Sequence, residues 1–190
     1  MSDINNQKSY WDKVASIKTF THPLDIHLVN KYIQPADVIL DYGCGYGALY
    51  PFLSARYRSF QYTGFDLSEK MIEASQHLYP ATNAKWEHQE KLLKSHDYVI
   101  ASGIFNVKMQ FNDKDWFKYV LDTLNTINSI AEKGFSFNAL TSYSDAQYMK
   151  SELFYPDPGV IFDHCKRNFS KMVAVLHDYP LYEFSIIVRK

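Results

Sequence analysis

Cysteine is scarce in this chain, and charge of either sign is not in excess. Two cysteines, Cys44 and Cys165, are too few for a disulfide framework, so both are expected as free thiols in a reducing compartment. The 20 Lys and Arg residues nearly cancel the 21 Asp and Glu, giving a formal net charge of -1. That balance leaves no electrostatic footprint for nucleic acid or an acidic membrane. No apolar run approaches the length of a membrane span, and Met1–Gln7 is polar where a signal peptide would be apolar. There are no internal repeats, no low-complexity tracts and no His, Cys or carboxylate spacing of the kind that ligates a metal. A cytoplasmic protein without membrane, nucleic-acid or metal partner is the expectation; oligomeric state is not legible.

What is plentiful is apolar and aromatic surface. Hydrophobic residues make up 46% of the 190, and 15 Tyr and 13 Phe are among them. That is enough for one domain over 1–190 with a substantial core, most of the aromatics serving that core and some lining a ligand pocket.

The chain is organised around Val38-Ile39-Leu40-Asp41-Tyr42-Gly43-Cys44-Gly45-Tyr46-Gly47. An apolar strand empties through alternating glycines into Ala48–Leu53, where the apolar spacing becomes helical. Glycines allow a tight turn and close approach of a ligand to the backbone, and a helix N-terminus offers unpaired N–H groups to it. Twenty-five residues after Asp41, a second strand (Gln61–Phe65) ends in Asp66, an acid placed for the two hydroxyls of a ribose.

Two nucleotide chemistries fit the loop. Gly43, Gly45 and Ala48 satisfy the dinucleotide fingerprint. Asp41-x-Gly43-x-Gly45-x-Gly47 also resembles the first motif of class I S-adenosylmethionine-dependent methyltransferases. The segment His96–Asn106, an acid opening a buried strand, resembles that family's fourth motif. The closing apolar runs Met172–His177 and Glu183–Val188, joined by Asp178-Tyr179-Pro180-Leu181, resemble its terminal antiparallel hairpin. The resemblance runs from about residue 36 onward. It implies a three-layer α/β Rossmann-like sandwich with a seven-stranded, mostly parallel sheet in the order 3-2-1-4-5-7-6. Residues 1–35, with aromatic and apolar positions at helical spacing, resemble the helical cap over the cofactor in many of these enzymes, with 36–190 as the core.

The resemblance also implies a cofactor, S-adenosylmethionine, with S-adenosylhomocysteine as product, and a set of contacts. Gly43, Gly45 and Tyr46 would lie against the methionine moiety and Asp41 would engage its ammonium group. Asp66 would take the ribose, Leu67 or Met71 the adenine face, and Ser102 and Gly103 the acceptor side. The family's usual Asp after the third strand is replaced by His88-Gln89-Glu90, so Gln89 or Glu90 is the expected stand-in. The sequence Ile104-Phe105-Asn106-Val107 lacks the Pro-Pro-aromatic signature of the DNA amino-methylating branch. A small-molecule acceptor, methylated on oxygen or nitrogen, is therefore expected, with Asn106 and His177 as candidate catalytic residues. An NAD-dependent oxidoreductase on the same loop, and a cofactor-binding module without catalysis, are the alternatives.

Elsewhere the pattern predicts helices after Ser68, after Asn112 with Trp116, Val120, Leu124 and Ile127 on one face, and after Pro158. Leu78 and Val160 are expected on buried faces, and Gly134 as the stop of the long helix.

Overall fold

The computed structural model describes residues 31–80 and 82–190. The cap expected over 1–35 lies almost wholly outside the described residues. Along the described chain run β1 (Val38–Tyr42), α1 (Leu49–Arg56), β2 (Gln61–Phe65), α2 (Glu69–Leu78), β3 (Lys85–Glu87) and β4 (His96–Ala101). They are followed by α3 (Asp113–Ile130), β5 (Ala131–Leu140), α4 (Pro158–Asn168), β6 (Met172–Leu176) and β7 (Glu183–Arg189). The strands form one sheet in the order β3-β2-β1-β4-β5-β7-β6. The first five are parallel, and β7 is antiparallel to both of its neighbours. This is the expected order, with the expected hairpin.

Both faces of the sheet are covered, which is why β1 opens on three apolar residues in a row, Val38, Ile39 and Leu40. Leu40, Val99, Phe135 and Phe137 point to one face, where Trp116, Val120, Leu124 and Ile127 of α3 and Ile161 and Cys165 of α4 close over them. Ile39, Tyr62, Ile100 and Ile187 point to the other, against Leu49 and Leu53 of α1. Strand period two and helix period 3.6 thus meet in two cores.

Helices α2, α3 and α4 begin where polar side chains satisfy their first amides. Ser68 Oγ accepts from Met71 N at 3.3 Å, Asn112 Oδ1 from Asp115 N at 2.9 Å, and Asp157 Oδ1 from Gly159 N at 2.6 Å. Three details differ from the sequence reading. Leu78 and Val160 are exposed, because α2 and α4 each bury a narrower stripe than their apolar residues suggest. Gly134 does not end α3. The helix passes straight into β5 at Ala131, and Gly134 lies within the strand, where a Cβ would come within 2.4 Å of the Val188 carbonyl oxygen.

At the amino ends of the strands a polar knot holds the sheet. Asp97 Oδ2 accepts from Val38 N at 2.8 Å, and Lys133 Nζ bridges Asp37 Oδ1 at 2.6 Å and Asp97 Oδ1 at 2.9 Å. Burial pushes the Asp97 carboxyl up, but the Val38 amide and Lys133 outweigh it and hold the group below its ordinary value. The acid that opens β4 is therefore a structural residue on the edge opposite the glycine loop.

Candidate cofactor site

The loop after β1 is folded back against β2. Gly43 N and Cys44 N both donate to the Phe65 carbonyl, at 2.7 and 2.9 Å. The chain then turns through Gly45 (φ +54) and Gly47 (φ +81), backbone conformations that disfavour a side chain. The two glycines answer different demands. A Cβ on Gly47 would sit 2.4 Å from the indole of Trp86, which stacks on Tyr79 and meets Tyr62 edge-on. A Cβ on Gly45 would meet nothing within 4 Å, and the same holds for Gly103 (φ +75), just past β4. Open space therefore lies above one glycine at the end of β1 and one at the end of β4. That is where β1, followed in sequence by β2 on one side, is flanked by β4 on the other, the switch point of the sheet.

Carboxylates line this point. Asp66 follows β2, and its two oxygens accept from Gly45 N at 2.9 Å and Ser68 N at 2.8 Å. Asp41 is buried near the end of β1, where Tyr62 Oη donates to its Oδ2 at 2.7 Å. Burial, opposed by the Tyr62 bond and reinforced by nearby Asp66, pushes the Asp41 carboxyl up from 3.8 to about 7. Burial also raises the Cys44 thiol well above its ordinary value, with Asp41 and Asp66 adding to it, so Cys44 is inert packing inside the loop. Glu87, at the end of β3, accepts from His88 N and Gln89 N through one oxygen, at 2.8 Å each. Glu90 accepts from the buried Tyr42 hydroxyl. Gln89 is thus left half-buried at the turn, its amide near the His88 ring.

The remaining expected residues divide into two groups. Tyr46, Ser102 and Gly103 are half-buried around the switch point, Leu67 is exposed and Met71 is buried on the first turn of α2. Asn106 turns inward: its Oδ1 accepts from Leu140 N at 3.0 Å, and its carbonyl from Phe154 N at 2.9 Å. His177 does follow β6 on the carboxyl edge of the parallel strands. However, β6 is the outermost strand, four strand spacings from β1, or roughly 19 Å. Its ring lies against Tyr143 and Phe184, far from Gly45.

A family model described as a methyltransferase domain matches residues 39–126, from β1 into α3. The Mycobacterium tuberculosis protein "Putative methyltransferase Rv1506c" is 48% identical over 153 residues, which cover 80% of this chain and 92% of that protein. The chain belongs to the class I S-adenosylmethionine-dependent methyltransferase family. Solved structures of similar shape bear out the fold of this methyltransferase. One described as "DhpI-SAM-HEP complex" has a TM-score of 0.70 at 16% identity, over 99% of this chain and 98% of that one. Magnesium protoporphyrin IX methyltransferase from Synechocystis PCC 6803, crystallised with S-adenosylmethionine, has a TM-score of 0.61 at 18% identity, over 100% and 83% of the two chains.

The methyltransferase's own residues fit the family cofactor on a structural observation: two left-handed glycines with open space above them, beside an acid already bonded to one of their amides. Three contributors escaped the sequence reading. Trp86 dictates Gly47, Tyr62 holds Asp41, and Asn138 joins the Gly103 loop to β7. Asn138 alone had a legible signal, an amide set between the strictly apolar Phe135, Phe137 and Ala139.

Proposed function

We propose that this chain transfers a methyl group from S-adenosylmethionine to an oxygen or nitrogen of a small-molecule acceptor. The observation that carries the reading is the pair of unfilled glycines at the carboxyl ends of β1 and β4, with Asp66 bonded to the first. When bound, the cofactor supplies a sulfonium-activated methyl group.

The chain's part is binding, orientation and exclusion of water. Asp66 exchanges its hold on Gly45 N for the ribose hydroxyls, both of its oxygens already being oriented by backbone amides. Gly43, Gly45 and Tyr46 form the floor under the methionine end. Asp41, raised to about 7 by its burial, becomes a full carboxylate when a cation approaches. Leu67 and Met71 flank the adenine, and Gln89 sits where its edge is read. Ser102 and Gly103 close the acceptor side, and Asn106 sets the path of the loop that bears them. His177, Tyr143 and Phe184 form an aromatic wall farther along the same edge.

A net charge of -1 supports a small acceptor over a nucleic acid. Incubation with methyl-labelled S-adenosylmethionine and a deproteinised metabolite extract tests this. Label is expected in the low-mass fraction. Label appearing only in added protein or nucleic acid would refute the small acceptor. Cofactor binding without label in any fraction would favour the non-catalytic module.

A further inference from the structure

One partly buried polar chain, centred on the buried Asn138, crosses three strands at the carboxyl edge of the sheet. Gly103 N, past the end of β4, donates to Asn138 Oδ1 on β5 at 2.6 Å. Asn138 Nδ2 in turn donates to Glu183 Oε2, at the first residue of β7. Asn138 is 1% exposed, and no atom packs within 4 Å of the place where a Gly103 Cβ would stand. No side chain fills the space beside the Gly103 Cα, and its amide is held by Asn138. A second amide laces the same loop from the other direction, since Asn106 Oδ1 holds Leu140 N.

Burying an amide and engaging a carboxylate costs free energy that an apolar residue here would avoid. An aliphatic side chain would suit β5 between Phe137 and Ala139. What only the amide provides is direction: one acceptor for the loop and one donor for β7. We infer that Asn138 is a positioning residue for the methyltransferase reaction, holding the cofactor-flanking Gly103 in its open, left-handed form and aiming the Glu183 carboxylate at the acceptor side. Glu183 lies opposite Leu140, one residue before the segment 141–157 that leads away from the sheet on the acceptor side, with Tyr179 and Ser185 bonded to each other close by.

The inference rests on the cofactor reading proposed above, and the test separates the two. Calorimetric titration with S-adenosylhomocysteine is run on wild type, Asn138→Asp and the double variant Asn138→Asp with Glu183→Gln, alongside thermal unfolding of each ligand-free protein. The carboxylate introduced by Asn138→Asp keeps the acceptor for Gly103 N but opposes Glu183, so affinity should fall by about tenfold or more. Adding Glu183→Gln restores a donor, with the bond reversed, and should return affinity to within about threefold of wild type. Unchanged affinity in Asn138→Asp, or loss that Glu183→Gln does not restore, overturns the inference while leaving the cofactor reading in place. Absence of wild-type affinity overturns both.

A purely structural Asn138 would lower the unfolding midpoint of Asn138→Asp without changing the affinity of the folded fraction. Amide hydrogen exchange of wild-type Gly103 gives a check that needs no variant. Protection, despite its place in a loop, is expected, and exchange at the rate of an open amide contradicts the bond.

Discussion

Gly45 and Gly47 lie two residues apart in one loop, both in the left-handed region, yet a methyl group added to each has a different consequence. On Gly47 it meets the Trp86 indole at 2.4 Å, so overpacking adds to backbone strain. Gly47→Ala should lower the unfolding free energy by about 3 kcal/mol in urea denaturation. On Gly45 only the backbone term applies, about 1–2 kcal/mol. Gly45→Ala should instead weaken S-adenosylhomocysteine by at least about tenfold, because its methyl occupies the open space. Equal stability losses in the two would contradict the division of labour.

Asp41 gives a pH signature. It ionises near 3.8 in the unfolded chain and at about 7 in the fold, so its contribution to stability is present at low pH and is lost as pH rises from about 4 to about 7. Asp41→Asn removes that loss. Relative to wild type, it should gain stability across this window, on the order of 4 kcal/mol by about pH 8, as seen in denaturant midpoints. It should also bind S-adenosylhomocysteine more weakly than wild type and lose the rise in affinity between about pH 6 and about pH 8. Parallel stability curves for the two proteins would show that Asp41 ionises normally. At this scale the acids and glycines were legible because the family's chemistry fixes their type. Trp86 and Tyr62 were not, because their roles are set by partners far away in the sequence, which local periodicity does not report, and Asn138 showed only as an amide in an apolar strand.

Among the elements, the parallel strands have opposite duties at their two ends. The amino ends carry the Asp37–Lys133–Asp97 knot, and the carboxyl ends carry the glycine loop and Asp66. Asp97→Ala leaves the Val38 amide without its acceptor and should cost about 2 kcal/mol of stability, while S-adenosylhomocysteine affinity stays within about twofold of wild type. A large loss of affinity would place Asp97 in the site and contradict the polarity of the sheet. The starts of α2 and α3 were readable because caps are local chemistry: Ser68 and Asn112 each bond an amide three residues on, whereas the Asp157 cap of α4 escaped the sequence reading. The end of α3 was not readable. Gly134 resembles a stop signal, but its real cause is the Val188 carbonyl on β7, a contact that only the assembled sheet creates.

For the whole molecule, strand order and the closing hairpin followed from the ordered motifs rather than from periodicity. Covered faces are consistent with the adjacent apolar residues Ile39 and Leu40 of β1, since only a sheet flanked on both sides buries the two together. Width was harder to read. His177 and Asp66 lie on the same edge, and the expected strand order already sets β4, β5 and β7 between β1 and β6. Sharing an edge reads as nearness to the cofactor only until those strands are counted. No helix of the described residues is long and apolar enough to cross a membrane.

The central claim is that the loop after β1, with Asp66, takes S-adenosylmethionine and not a dinucleotide. Calorimetric titration of the wild-type protein with S-adenosylhomocysteine, with NAD as the parallel ligand, tests it most directly. The account predicts one site per chain with a dissociation constant on the order of micromolar for the former and no heat from the latter, the binding falling at least about tenfold in Asp66→Ala. Binding of NAD alone, or S-adenosylhomocysteine affinity unchanged by Asp66→Ala, would contradict it.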